Sequence, residues 1–159
     1  MYDKKTDLRY VPNAVPRVEE IISNIDHPDV EIRREYSTGA IYALMGGISS
    51  DATHRLLDKL AERLKLSSKG IPTEQDVYVR EHCANAFEMA GATGKDAFSH
   101  VSVLTQSRES DPHEWVRERA RDALSYFREQ KSRLPRPGQF TKNRASGLPT
   151  NEKRLQSTV

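Results

Sequence analysis

Apolar residues recur at intervals of three, four and seven along six stretches of this chain, the spacing of one face of an α-helix. Three stretches are rich in branched or leucine side chains. "AVPRVEEIISNI" carries Val15, Val18, Ile21, Ile22 and Ile25, and "SDATHRLLDKLAERLKL" carries Leu56, Leu57, Leu60, Ala61 and Leu64. "GKDAFSHVSVL" carries Ala97, Phe98, Val101 and Leu104. Each leads into a stretch whose apolar side is built from smaller residues: "DVEIRREYSTGA", "DVYVREHCANAF" and "DPHEWVRERARDALSYF". In the last of these, Val116, Ala120, Ala123, Leu124 and Phe127 cluster on one side at about 100° per residue, and the charges take the remaining circumference. Six helices in three pairs are expected, with Ser50 or Asp51 capping the second leucine-rich helix and Asp29, Asp76 and Asp111-Pro112 marking the starts of the small-residue helices.

The three small-residue helices align with one another. With Arg33, Arg80 and Arg117 in register, the preceding residues are Ile32, Val79 and Val116. Three positions on stand Tyr36, Cys83 and Ala120, then Gly39, Ala86 and Ala123, then Ala40, Phe87 and Leu124. A second echo places Gly46 and Asp51-Ala52 against Gly91 and Asp96-Ala97. The arginines lie 47 and 37 residues apart, and "LSSKGIPTEQ", with Gly70 and Pro72, accounts for the longer interval.

This pattern resembles the HEAT repeat family, including the HEAT-like repeats of phycobilin lyases. There, an apolar helix A passes through an Asp- or Pro-containing turn into a helix B that begins Val-Arg. The resemblance covers residues 14–131 and implies an all-α fold, a short α-solenoid of three helix pairs (14–47, 50–92 and 94–131). Residues 1–13 are expected to form an N-terminal arm, and 132–159 an irregular basic tail holding Pro135, Pro137, Gly138, Gly147 and Pro149. Pairs of this kind cannot bury their apolar faces alone, so stacking is obligatory.

Charge changes the picture at one end only. The net charge is +2, but from Arg133 onward six basic residues oppose Glu152 alone, so the rest of the chain is slightly acidic. The opening residues show no secretory signal, no apolar run approaches a membrane span, and the single Cys83 falls in an apolar pattern. A reducing, cytoplasmic setting is therefore expected. Ser157-Thr158-Val159 resembles a carboxyl-terminal PDZ ligand.

Chemistry-bearing clusters are sparse. His27, His54, His82, His100 and His113 fall singly, without metal-ligand spacing, and no metal, cofactor or catalytic set is expected. Deoxyhypusine hydroxylases resemble HEAT stacks and hold iron with several His-Glu pairs; His113-Glu114 alone matches here. The repeated arginines are expected to pair with turn acids such as Asp29, Asp76 and Asp111, in a ladder that fixes the spacing of units. A phosphate-binding row is the other reading of them.

A second stripe runs along the small-residue helices: Glu31, Glu35, Thr38 and Tyr42; Tyr78, His82, Asn85 and Met89; Trp115, Arg119, Asp122 and Tyr126. In HEAT-like stacks these helices line the concave surface. Tyr, Trp and Arg are enriched at binding hot spots. The expected partner-binding residues are Tyr78, His82, Asn85, Trp115, Arg119, Asp122 and Tyr126, although Tyr78 and Trp115 could also serve to cover a seam. Arg136, Phe140, Lys142, Arg144, Lys153, Arg154 and Leu155 would give the tail a second contact.

The resulting expectation is a non-catalytic protein-binding module, an adaptor, assembly subunit or inhibitor, with a protein partner. One alternative is nucleic-acid binding through the tail and Arg117, Arg121 and Arg128. HEAT-like alkyl-purine glycosylases bind DNA along a basic concave face, whereas Glu31 and Glu35 lie on the relevant stripe here. The other alternative is an accessory subunit of a HEAT-like lyase.

Overall fold

A computed structural model describes residues 16–133. Six α-helices account for most of them: α1 (Val18–Asn24), α2 (Val30–Met45), α3 (Ser50–Leu64), α4 (Val77–Ala92), α5 (Val101–Ser110) and α6 (Glu114–Arg133). The fold is all-α; among the described residues the only extended pairing is an isolated bridge between Leu66 and Pro72.

Local chemistry sets the helix boundaries. Asp29 accepts from the Glu31 N–H and starts α2, and Asp76 accepts from the Val79 N–H and starts α4. The cap of α3 is Ser49, whose hydroxyl accepts from the Ala52 N–H; neither Ser50 nor Asp51 serves. Both of those lie inside the first turn, where Asp51 pairs with Arg55 on the next turn. α5 begins later than its apolar pattern suggests. Gly94 turns the chain at φ +73°, Asp96 accepts from the Phe98 N–H, and a 3-10 turn (Phe98–His100) intervenes. These local bonds compete with a regular helical start.

The helices pack in pairs and in two successions. α1 lies on α2, α3 on α4 and α5 on α6; α2, α4 and α6 contact in that order, as do α1, α3 and α5. One continuous core results, running from Ile21 and Ile25 through Leu56, Leu60 and Phe87 to Leu104, Val116 and Phe127. Val79 and Val116 are fully buried, whereas Ile32 is half-buried. Its helix is the first of the even-numbered row, so no earlier described pair covers it.

Small residues decide how close the even-numbered helices come. A Cβ added at Gly91 would stand 2.7 Å from the Tyr126 Cβ and 3.4 Å from the Phe127 ring. At this crossing α4 therefore requires glycine for its closeness to α6. The carbonyl that this closeness exposes is used: Gln130 Nε2 donates to Gly91 O at 2.6 Å. One helix earlier, Thr93 Oγ1 donates to Leu44 O at 3.1 Å. Leu44 and Gly91 stand eleven residues after Arg33 and Arg80; Thr93 and Gln130 stand thirteen after Arg80 and Arg117.

Candidate interaction surface

The turn before each even-numbered helix is built to one plan. The side chain six residues before each aligned arginine accepts a backbone N–H two residues on. His27 Nδ1 takes that of Asp29 at 3.0 Å, Glu74 Oε1 that of Asp76 at 2.9 Å, and Asp111 Oδ1 that of His113 at 2.9 Å. Each arginine then folds back over its own turn. Arg33 Nη1 donates to the carbonyls of His27 and Pro28, Arg80 Nη1 to those of Glu74 and Gln75, and Arg117 Nη1 to that of Asp111.

The rest of the guanidinium reaches forward to the next turn. Arg33 grips Glu74 with Nε at 2.8 Å and Nη2 at 3.1 Å, and Arg80 grips Asp111 at 2.9 and 3.2 Å. Planar two-point pairing of this kind fixes orientation as well as distance. Both acceptor carboxylates are buried. An arginine ladder is therefore present, with a correction to its partners. Asp29 starts α2, and Asp76 starts α4 and pairs with Arg34 instead of a ladder arginine; the receiving acids are Glu74, which was not expected, and Asp111, which was. A phosphate-binding row is not available at Arg33 or Arg80, because their forks already hold carboxylates.

Arg34 adds a second strut that the sequence pattern missed. Its Nε and Nη2 pair with Asp76 at 3.2 and 2.6 Å, and its guanidinium lies 5.0 Å from the centre of the Tyr78 ring. Burial alone would raise the Asp76 carboxyl. Hydrogen bonds from Arg34 and the Val79 N–H, with the charge of Arg34, hold it below the usual carboxylate range.

Of the expected partner-binding residues, Tyr78, Trp115, Arg119 and Tyr126 meet the facing helix across the α4–α6 seam. Tyr78, His82 and Asn85 on α4 are half-buried, as are Trp115 and Arg119 on α6; Asp122 and Tyr126 are exposed, Tyr126 at 36%. The Tyr78 and Trp115 rings lie 6.4 Å apart at 49°, and His113 meets Trp115 edge-on at 4.9 Å. Arg119 bridges back to α4, with Nε 2.8 Å from Glu81 and Nη1 3.1 Å from Glu88. Burial pushes the Glu88 carboxyl up, against the attraction of Arg119. His82 Nδ1 lies 3.1 and 3.2 Å from the hydroxyls of Ser37 and Thr38, joining α4 to α2. Thus Tyr78, His82, Trp115 and Arg119 tie helices together while presenting an edge outward. The tail residues Arg136, Phe140, Lys142, Arg144, Lys153, Arg154 and Leu155 lie outside the described residues.

Cys83 is completely buried, and burial pushes its thiol far above the usual range. His100 stacks edge-on against Phe87 at 5.5 Å, with Asp58 Oδ1 at 3.0 Å from Nε2. Among the described residues no three His, Cys, Asp or Glu side chains are placed to hold a metal ion. No described helix is long and apolar enough to cross a membrane. An apolar groove of about 460 Å³ opens between the 3-10 turn, α5 and α6.

No protein-family model, curated protein or solved structure matches the chain.

Proposed function

We propose that this chain is a short α-solenoid of three HEAT-like helix pairs and works without catalysis, by holding a protein partner. It would act as an adaptor, assembly subunit or inhibitor. The solenoid reading is supported by the recurrence of the same turn bond, the same arginine fold-back and the same inter-helix carbonyl bond at matching positions.

The observation that carries the functional reading is the α4–α6 seam. Trp115, Tyr78 and Arg119 are half-buried and braced by their neighbours, and Tyr126, about two turns beyond Arg119 on α6, stands exposed over Gly91. Aromatic and arginine side chains already fixed in place lose little conformational freedom when a partner arrives. The basic tail would add a tethered second contact, raising overall affinity through effective concentration.

The test is affinity capture from the native host with three proteins: the wild type, Trp115→Ala/Tyr126→Ala, and a chain ended after Arg133. A defined protein should be retained by the wild type, also after nuclease treatment. It should be reduced about tenfold or more by the double variant, which corresponds to about 1.4 kcal/mol. The far-UV circular dichroism of that variant should match the wild type. Equal capture by both proteins would refute the seam as the binding surface, and capture abolished by nuclease would point instead to nucleic acid.

A further inference from the structure

The outer side of α6 differs from the matching sides of α2 and α4. Residues four, seven and eleven after the ladder arginine fall on one stripe of each helix. On α2 these are Ser37, Ala40 and Leu44, and on α4 they are Ala84, Phe87 and Gly91; all six are buried. Gly91 lies directly under Tyr126 and Phe127 of the following helix. On α6 the same positions hold Arg121, Leu124 and Arg128, with Lys131 one turn further; Leu124 is buried like its counterparts, but the three cations are exposed.

The ladder is also incomplete at this end. Arg33 and Arg80 each hold a carboxylate from the next turn, whereas Arg117 donates only to the carbonyl of Asp111. Among the described residues no carboxylate receives its fork. Beside the stripe lies the apolar groove of about 460 Å³, lined by Phe98, Val101, Leu124 and Phe127, with Arg128 and Lys131 on its margin.

We infer that this end of the stack is a docking site for an acidic amphipathic helix of another protein. Its apolar stripe fills the groove between α5 and α6, and its carboxylates meet Arg117, Arg121, Arg128 and Lys131. Three features select this occupant. A cap serving solubility alone needs polarity of either sign, yet the exposed stripe positions are all cationic. The unfilled fork of Arg117 matches a carboxylate in the geometry that Glu74 and Asp111 already display. Phe98 and Val101, half-buried along the groove wall, call for apolar side chains, which a phosphate backbone lacks.

Other occupants fit less well. A second copy continuing the stack would bring His27 to the position where Glu74 and Asp111 receive the previous arginine, and His27 Nδ1 already accepts from Asp29. The segment after Arg133 carries Arg136, Lys142, Arg144, Lys153 and Arg154 against Glu152, the same sign as the stripe. This surface is separate from the α4–α6 seam, and the inference does not rest on the seam.

The probe is a fluorescein-labelled peptide of about 18 residues, five helical turns, with leucines on one face and glutamates flanking them. Anisotropy titration of the full chain should give micromolar binding. Arg121→Glu/Arg128→Glu, both at exposed positions, should weaken it about tenfold or more with unchanged circular dichroism. Trp115→Ala/Tyr126→Ala should leave it unaltered, so failure of the seam and failure of this site are told apart. Four results would overturn the inference: no binding; equal binding of a peptide of the same composition without the apolar face; binding of duplex DNA in place of the peptide with the same dependence on Arg121 and Arg128; or sedimentation showing that these arginines drive self-association.

Discussion

Replacing Arg80 by alanine tests how the units are joined. The Arg80 side chain is 4% exposed and that of Asp111 0%. The substitution strips Asp111 of two charge-assisted bonds, at 2.9 and 3.2 Å, and frees the carbonyls of Glu74 and Gln75 from their donor. What remains for the buried carboxylate is the N–H of His113. Removing one member of a buried ion pair costs about 3–5 kcal/mol, because the other charge stays out of water uncompensated. Arg117 supplies the internal comparison. It makes one side-chain bond, to the Asp111 carbonyl at 2.7 Å, and is half-buried, so Arg117→Ala should cost about 1 kcal/mol.

Urea unfolding followed by far-UV circular dichroism reads the difference. With a slope of about 1.5–2 kcal/mol per molar, Arg80→Ala should lower the midpoint by about 2 M and Arg117→Ala by about 0.5 M. Arg80→Met combined with Asp111→Leu should recover much of the loss, since no unpaired charge is then left buried. Equal, small shifts for Arg80→Ala and Arg117→Ala would refute the reasoning, because the ladder would then carry no load between units.

Gly91→Ala should destabilise by about 1–3 kcal/mol, since its Cβ would meet that of Tyr126 at 2.7 Å and push α6 away; Gly47→Ala, with nothing within 4 Å, is the control and should change little. Thermal melts of the two variants check this. His100 gives a pH dependence: burial, with His54 adding to it, outweighs the attraction of Asp58 and Asp96 and lowers the imidazole below its ordinary 6.5. The unfolded chain therefore takes up this proton first as pH falls. The stability His100 contributes is complete above 6.5 and lost as pH drops through the folded value. Urea midpoints measured from about pH 7.5 down to 5 should decline, and His100→Gln should flatten the decline that this group causes.

The helices were legible because their apolar periodicity is strong, and the arginine register because three copies of one pattern stand in one chain. Of the partners of those arginines, Asp111 was among the acids expected and Glu74 was not. Glu74 lies at the end of the "LSSKGIPTEQ" loop, which reads as an insertion. Its role follows from standing six residues before Arg80, as Asp111 does before Arg117, and it becomes visible once the hydrogen bonds to the following turn are known. Asp29 and Asp76 looked equally suitable as ladder acids, but both start helices and Asp76 is taken by Arg34, one residue beyond the aligned arginine. Arg34 carries no repeat signal, since the residues after Arg80 and Arg117 are Glu81 and Glu118. The seam was half legible. Its residue types and stripe could be read from spacing, whereas the bracing of Arg119 by Glu81 and Glu88 depends on α4 and α6 lying side by side.

That adjacency is what the account most depends on, and nuclear Overhauser contacts measure it directly. With selectively labelled glycine, tyrosine and phenylalanine, the Gly91 α-protons should show strong cross-peaks to the Tyr126 β-protons and weaker ones to the Phe127 ring, and the Phe98 ring should reach Phe127. Gly91 cross-peaks to residues of another helix, with none to α6, would contradict the stacked arrangement and the two surfaces built on it.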